Sequence, residues 1–369
     1  MKKLCCIVGA RPNFMKIAPI MRQLAQKGNN IETVLVHTGQ HYDEAMNSLF
    51  FQELDIPKPD VHLDVGSSSH AIQTAEIMKR FEPVLEKESP QAILVVGDVN
   101  STIACSLVAA KKGTKIIHVE AGLRSFDRTM PEEINRILTD QLSDVLFITE
   151  QKAENNLRAE GISSDKIHFV GNVMIDTLFY NLMKTERDSI IFHKHNIVLP
   201  SGYKNYGILT LHRPSNVDDP NILQNLLETL SLVSEKLPLI FPVHPRTAQR
   251  IRNAKLNKLL ERDTFITLEP IGYLELLGLM RNAKLVLTDS GGIQEETTAL
   301  GVPCLTLREN TERPITLTDG TNTLVGRERK KIMSTVDRIL KNGGKTGKIP
   351  KAWDGRAAER IVDIINDWI

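Results

Sequence analysis

HVEAGLRSFDRTMPEEINR, residues His118–Arg136, is a strand end, a charged loop and a helix start in one piece. The apolar run Lys115-Ile116-Ile117 leads into it as the close of a buried strand. Where that strand should turn, the chain supplies Glu120, Gly122 and Arg124, followed by Asp127 and Arg128. Pro131-Glu132-Glu133 then opens a helical pattern that carries Asn135 and Arg136, since proline at a first helical position followed by acids is a start signal. A loop between a strand end and a helix start thus interleaves carboxylates with guanidiniums, in the kind of place where a rigid sheet holds chemistry.

The same alternation extends outward in both directions. Strands are expected at Leu4–Val8, Glu32–Val36, Ala92–Val96, Lys115–Val119, Val145–Thr149 and Ile167–Val170, with helices such as Pro19–Lys27, Ala71–Lys87, Ser101–Lys111 and Pro131–Leu142 between them. After a charged, irregular segment around Lys184–Tyr206 the pattern restarts, with strands at Gly207–Leu211, Leu239–Val243, Phe265–Leu268, Lys284–Thr288 and Cys304–Leu307. Near-continuous apolar strands joined by helices predict parallel sheets covered on both faces. The expected architecture is α/β: two doubly wound domains, 1–172 and 173–354, with a central cleft at the carboxyl ends of their strands. The amphipathic stretch Gly355–Ile369 is expected to pack back on the first domain.

A chain of 369 residues, 41% apolar and 25% charged, suits two ordinary globular domains. Its net charge of +1 gives no overall pull toward nucleic acid or a membrane surface. No apolar run approaches the roughly 20 residues that span a bilayer. MKKLCCIVGARP reads as a first buried strand rather than a signal peptide, because its apolar run stops at once in Arg-Pro. Cys5, Cys6, Cys105 and Cys304 show no C-x-x-C spacing, which predicts reduced thiols in a cytoplasmic protein and no metal site.

Several strand ends carry candidate chemistry. Gly9-Ala10-Arg11-Pro12-Asn13-Phe14-Met15-Lys16 places a glycine turn and two cations at a helix start, an arrangement that suits a diphosphate. It is neither G-x-G-x-x-G nor a Walker A loop. Gly97-Asp98-Val99-Asn100-Ser101-Thr102 leaves Asp98 either in a site or as a helix cap. Thr210-Leu211-His212-Arg213-Pro214 closes a strand with a His-Arg pair, and Val243-His244-Pro245-Arg246 repeats the style. Leu287-Thr288-Asp289-Ser290-Gly291-Gly292-Ile293-Gln294-Glu295-Glu296 is a strand, a Ser-Gly-Gly turn and a helix. Its bare amides and the Ser290 hydroxyl form an anion cradle, with Glu295 or Glu296 one turn in for ribose hydroxyls. Arg313, in Thr311-Glu312-Arg313-Pro314, has the reach to join the same phosphates.

With these stretches in order, the chain resembles the non-hydrolysing UDP-N-acetylglucosamine 2-epimerases. GARPNFMK, HTGQHYD, VVGDVNST, HVEAGLRS, PEEINR, LHRP, PVHP, LTDSGGIQEE and TERP carry the likeness from Gly9 to Pro314. The resemblance implies two Rossmann-like domains of GT-B type in a cytoplasmic homodimer. Such an enzyme interconverts UDP-GlcNAc and UDP-ManNAc without cofactor or metal, for cell-surface polysaccharide synthesis. It further implies that Arg11, Lys16, His212, Ser290, Gly291, Gly292, Glu296 and Arg313 hold UDP, with Arg213 beside them. Asp98, Glu120 and Glu132 are then the catalytic carboxylates, with Arg136 close by and His212 at the reacting end. Leu276 stands where members often carry an aromatic near the uracil. Gln40-His41-Tyr42-Asp43 and the arginine-free loop 64–70 differ from members that carry an activator site.

The chemistry explains the residue types. The C2 hydrogen is not beside a carbonyl, so UDP must leave C1 before that hydrogen becomes acidic, and positive charge must hold the departing diphosphate. Inversion through a 2-acetamidoglucal needs acids on both faces of C2, which one base cannot supply. A GT-B glycosyltransferase, a catalytically silent UDP-sugar sensor and a 2-epimerase of UDP-2,3-diacetamido-glucuronate are the rival readings. The last would want a further cation from Arg124, Arg128 or His244.

Overall fold

The computed structural model describes residues 2–26, 30–39 and 51–369, with the side chain of Arg11 outside that description. The Gln40–Asp43 stretch also lies outside the described residues. The chain divides into two compact units, Met1–Tyr180 with Lys351–Ile369, and Asn181–Pro350. The change of unit therefore comes after Tyr180, beyond the Asn172 expected from sequence. The helix Val173–Leu182 belongs largely to the first unit: Ile175 and Leu178 are buried, and Thr177 Oγ1 donates to Met15 O at 2.6 Å.

The first unit is a seven-stranded parallel sheet in the order β3-β2-β1-β4-β5-β6-β7. Its strands are β1 Lys2–Val8, β2 Ile31–His37, β3 Val61–His62, β4 Ala92–Val96, β5 Lys115–Ala121, β6 Val145–Ile148 and β7 Ile167–Phe169. The apolar run Leu4–Val8 is fully buried because helices cover both faces of a central parallel strand. On the helix His70–Glu88, the i, i+4, i+8 set Ile77, Phe81 and Leu85 packs on β1, β2 and β4, each side chain contributing about 2 kcal/mol by burial. The first helix begins at Arg11 and runs to Leu24, with Pro19 inside it rather than at its start.

The carboxyl-terminal helix Ala357–Trp368 lies against the helix Arg11–Leu24. Two contacts pin the segment that leads to it. Trp353, 1% exposed, donates from Nε1 to Thr149 O at 3.0 Å, and Asp176 accepts from the amides of Ala357 and Ala358 at 3.1 and 2.7 Å. The carboxylate thus caps a helix from elsewhere in the chain. Asp176→Ala should cost about 1 kcal/mol, read as a lower urea midpoint. Burial pushes the Asp176 carboxyl up to about 6 from its ordinary 3.8, against the opposing pull of the two amides. With the folded value above the unfolded one, this group's stabilisation is present below about pH 4 and lost as pH rises through 6. The variant should show a flatter stability profile across that window.

The second unit is a six-stranded parallel sheet in the order β10-β9-β8-β11-β12-β13. Its strands are β8 Gly207–Thr210, β9 Leu239–Pro242, β10 Phe265–Leu268, β11 Leu285–Thr288, β12 Cys304–Thr306 and β13 Asn322–Leu324. Leu223, Leu226, Leu227 and Leu230 of the helix Pro220–Ser234 and Ile332, Val336 and Ile339 of the helix Arg329–Asn342 fill its main core. Each sheet reverses its strand order once, between β1 and β4 in the first unit and between β8 and β11 in the second. Loops leaving the strands at such a reversal are where doubly wound folds bind ligands. All four cysteines are buried and free, and no helix among the described residues is long and apolar enough to cross a membrane.

Candidate active site

In the first unit, charged side chains collect at the β1/β4 reversal. Asn13 secures the turn after β1: its Oδ1 accepts from the amides of Gly9 and Ala10, each at 3.2 Å, and its Nδ2 donates to Val96 O at 2.8 Å. One turn further along, Lys16 Nζ donates to Glu120 Oε1 at 2.6 Å, with both side chains almost wholly buried (6% and 2% exposed). Gly97 must be glycine here, since it has φ +68° and a Cβ would stand 2.6 Å from the Lys16 ammonium. This contact brings the Asp98 turn and Glu120 to the same cation.

Glu120 sits where β5 shifts register against β6, and its backbone is left-handed, at φ +73°. A non-glycine residue there carries strain on the order of 1–3 kcal/mol, which the surrounding bonds must offset. The bulge re-aims the side chain out of the sheet pattern. Asp98 accepts from Arg136 Nη2, and its carbonyl accepts from Asn135 Nδ2 at 2.9 Å. Arg136 also pairs with Glu133, which is buried and accepts from the amides of Ser125 and Phe126 at 3.0 and 2.8 Å. Its neighbour Glu132 is half-buried, and its side chain makes no hydrogen bond or ion pair among the described residues. Of the adjacent acids, Glu133 therefore orders the loop and Glu132 does not.

Arg124 serves the fold rather than a ligand. Its guanidinium is buried against Asp140 at 2.7 Å and clasps Glu160 at 2.8 and 2.6 Å, so of the three cations offered to a substrate carboxylate only Arg128 and His244 remain outside a buried network.

In the second unit, Asp289 organises the β8/β11 reversal. Fully buried, it accepts from the amides of His212 and Arg213 at 3.0 and 2.9 Å and from Asn216 Nδ2 at 3.2 Å. His212 Nδ1 lies 3.0 Å from its Oδ1. Burial raises the Asp289 carboxyl, but the His212 hydrogen bond and charge and the two amides outweigh it, and the net value lies below the usual carboxylate range. Asp289 is thus the anion and His212 Nδ1 the donor, which fixes the half-exposed ring in orientation.

The helix Gly291–Leu300 begins beside this carboxylate, with Ser290 as its N-cap. The amides of Gly291 and Gly292 occupy its first two positions, where no intrahelical acceptor exists. A Cβ on Gly291 would stand 2.8 Å from Glu312 Oε1. Around that carboxylate stand Arg308 at 2.8 Å, Arg213 at 3.7 Å and Arg313 at 3.8 Å. Burial raises the Glu312 carboxyl, yet Arg313, Arg308 and Arg213 together hold it far below its ordinary value. Arg313 Nε also meets Glu295 at 2.8 Å, and Glu296 accepts from the Tyr273 hydroxyl at 3.0 Å. Leu276 is half-buried on the same helix as Tyr273. Arg213, Arg308 and Arg313 thus gather three guanidiniums near a helix start, whose free amides and dipole suit a phosphate.

Asp289, Glu312 and Arg308 were not expected from sequence. The Asp in Leu-Thr-Asp-Ser-Gly-Gly was the available signal, standing at a strand end before a glycine turn.

Paired doubly wound units with ligand-type loops at both reversals define the GT-B class of two-domain α/β proteins. Within it, this chain belongs to the UDP-N-acetylglucosamine 2-epimerase family, whose sequence model matches residues 23–366. It is 44% identical to the UDP-N-acetylglucosamine 2-epimerase of Methanocaldococcus jannaschii, over 98% of each chain. It is also 40% identical to the UDP-2,3-diacetamido-2,3-dideoxy-D-glucuronate 2-epimerase of Pseudomonas aeruginosa, over 98% of this chain and 99% of that one. Among solved structures, the M. jannaschii UDP-GlcNAc 2-epimerase in complex with UDP-GlcNAc and UDP superposes with a TM-score of 0.90, at 43% identity and 99% coverage of both chains.

Proposed function

We propose that this protein interconverts UDP-GlcNAc and UDP-ManNAc by inverting C2. The observation that carries the reading is the buried Lys16–Glu120 pair, set against the Asp98 turn at a sheet reversal. In this reading Ser290, Gly291, Gly292, Arg213 and Arg313 take the diphosphate, together with Arg11 and Lys16, and Glu296 takes ribose hydroxyls. His212, held by Asp289, donates toward the leaving oxygen. The C1–O bond breaks and its electron pair leaves with UDP, while a carboxylate among Asp98, Glu120 and Glu132 accepts the C2 proton. A C1=C2 double bond results. An acid on the opposite face then returns a proton to C2 as UDP oxygen re-forms the bond to C1. Arg136 keeps Asp98 in place for this exchange. No electrons are gained or lost overall, so the reaction calls for no redox cofactor. A cytoplasmic homodimer that supplies polysaccharide precursors completes the reading, as the resemblance implies.

Incubation with UDP-GlcNAc in deuterated water tests it. The expected result is UDP-ManNAc with deuterium at C2 in both sugars. Free ManNAc with UDP would indicate a hydrolysing enzyme, and unlabelled, unchanged sugar would overturn the proposal. The Pseudomonas relative supports a second reading, in which the sugar carries a C6 carboxylate. Turnover of UDP-2,3-diacetamido-glucuronate with UDP-GlcNAc left unchanged would select it.

A further inference from the structure

A buried polar node lies beneath the first-unit carboxylates, and the proposed reaction does not use it directly. His118, on β5 two residues before Glu120, is 0% exposed. Its Nε2 is 2.8 Å from Gly97 O and its Nδ1 is 2.6 Å from Asp140 Oδ1. A carbonyl accepts only, so Nε2 carries a proton. The 2.6 Å bond on the other side needs a second one. Asp140 also meets Arg124 at 2.7 Å and the Gly122 amide at 3.1 Å, and Glu160 holds the far side of Arg124. Both ring nitrogens are thus engaged by protein, one on the Gly97 turn and one on Asp140.

This ring ties down the two turns that matter. Gly97 donates its own amide to Val119 O at 3.0 Å while its carbonyl receives His118. Both polar groups of the residue before Asp98 are thereby registered on the two residues before Glu120. Asp140 extends the tie to the helix Pro131–Leu142, which carries Glu132 and Arg136, and to Gly122 just past the bulge.

We propose that His118 is a positioning residue: its ring, bonded to the Gly97 turn on one side and to Asp140 on the other, sets the placement of Asp98 relative to Glu120 on which proton exchange at C2 depends. The proposal rests on the epimerase reading above. Misplacement of about 1 Å in such a pair costs on the order of a hundredfold.

Two variants and one spectrum test it. His118→Asn places an amide donor toward Asp140 and removes the link to Gly97 O, whereas His118→Gln places one toward Gly97 O. His118→Asn should lower kcat at least tenfold with KM and UDP affinity within about twofold, and His118→Gln should recover part of that loss. Nitrogen-15 spectra of the histidine-labelled wild type should show one ring with a proton on Nε2 and hydrogen-bonded shifts at both nitrogens. A folded His118→Asn protein with wild-type kcat, equal losses in both variants, or the absence of such a ring would each overturn the proposal. If the asparagine variant does not fold, the wild-type spectrum decides. A wild type that turns over no UDP-sugar would instead defeat the epimerase reading, and the ring spectrum would tell that failure apart.

Discussion

Glu120→Gln should lower kcat about a thousandfold and abolish deuterium uptake at C2, with UDP affinity changed by no more than a few-fold. A positioned general base contributes on the order of 10²–10⁴ in rate, and an amide of the same shape cannot accept the proton. The substitution also acts on Lys16, whose ammonium lies 2.6 Å from the carboxylate in an almost dry setting. Breaking such a buried pair from one side costs about 3–5 kcal/mol, because the remaining charge is left uncompensated. A loss of activity could then reflect a loosened turn rather than a lost base. Pairing Glu120→Gln with Lys16→Met separates the two causes, since the double variant removes both charges and should recover stability. Because Lys16 also meets the diphosphate in this reading, Lys16→Met alone is the control: label uptake at C2 in that variant and none in a double variant that regains its melting temperature assigns the loss to the missing base. Turnover within tenfold of wild type in the single variant would remove Glu120 from the chemistry.

Much of the scaffold can be read along the chain because parallel strands buried on both faces leave near-continuous apolar runs. The runs Leu4–Val8 and Ala92–Val96 are of this kind. The edge strands Val61–His62 and Asn322–Leu324 escape such a reading, being too short to show a period. The glycine turns at Gly97 and Ser290-Gly291-Gly292 mark loops because backbone approach leaves a composition signal. Contacts between distant residues leave none. His118 and Asp140 meet across 22 positions, and Arg213 meets Glu312 across the second sheet. Of the adjacent acids Glu132 and Glu133, sequence gives no indication which one faces inward, and Arg124 reads as an available cation until Asp140 and Glu160 are seen to surround it. The left-handed backbone of Glu120 is likewise invisible in a sequence that places a glutamate at a strand end.

Arg313→Met should weaken UDP binding about 10- to 100-fold, as measured by titration calorimetry. A hydrogen bond to a charged group contributes roughly 1.5–3 kcal/mol, and 1.4 kcal/mol corresponds to tenfold. The electrostatics of the cluster make this more than the loss of one contact. Arg213, Arg308 and Arg313 face Glu295 and Glu312, so removing Arg313 takes one positive charge from this helix start and leaves Glu295 without the guanidinium 2.8 Å away. In the wild-type cluster Glu312, held far below its ordinary 4.5 with Arg313 the largest of the opposing charges, stays ionised, and the stability it contributes is fully present above that value and lost only as pH falls toward the lower folded one. Arg313→Lys should fall between the variant and wild type, because a point charge can serve the phosphate or Glu295 but lacks the planar fork that reaches both. Adding Glu295→Gln to Arg313→Met should return part of the lost affinity by restoring the wild-type charge balance of the cluster. UDP binding by Arg313→Met within twofold of wild type would show that the cluster braces the Gly291 helix start without meeting the diphosphate.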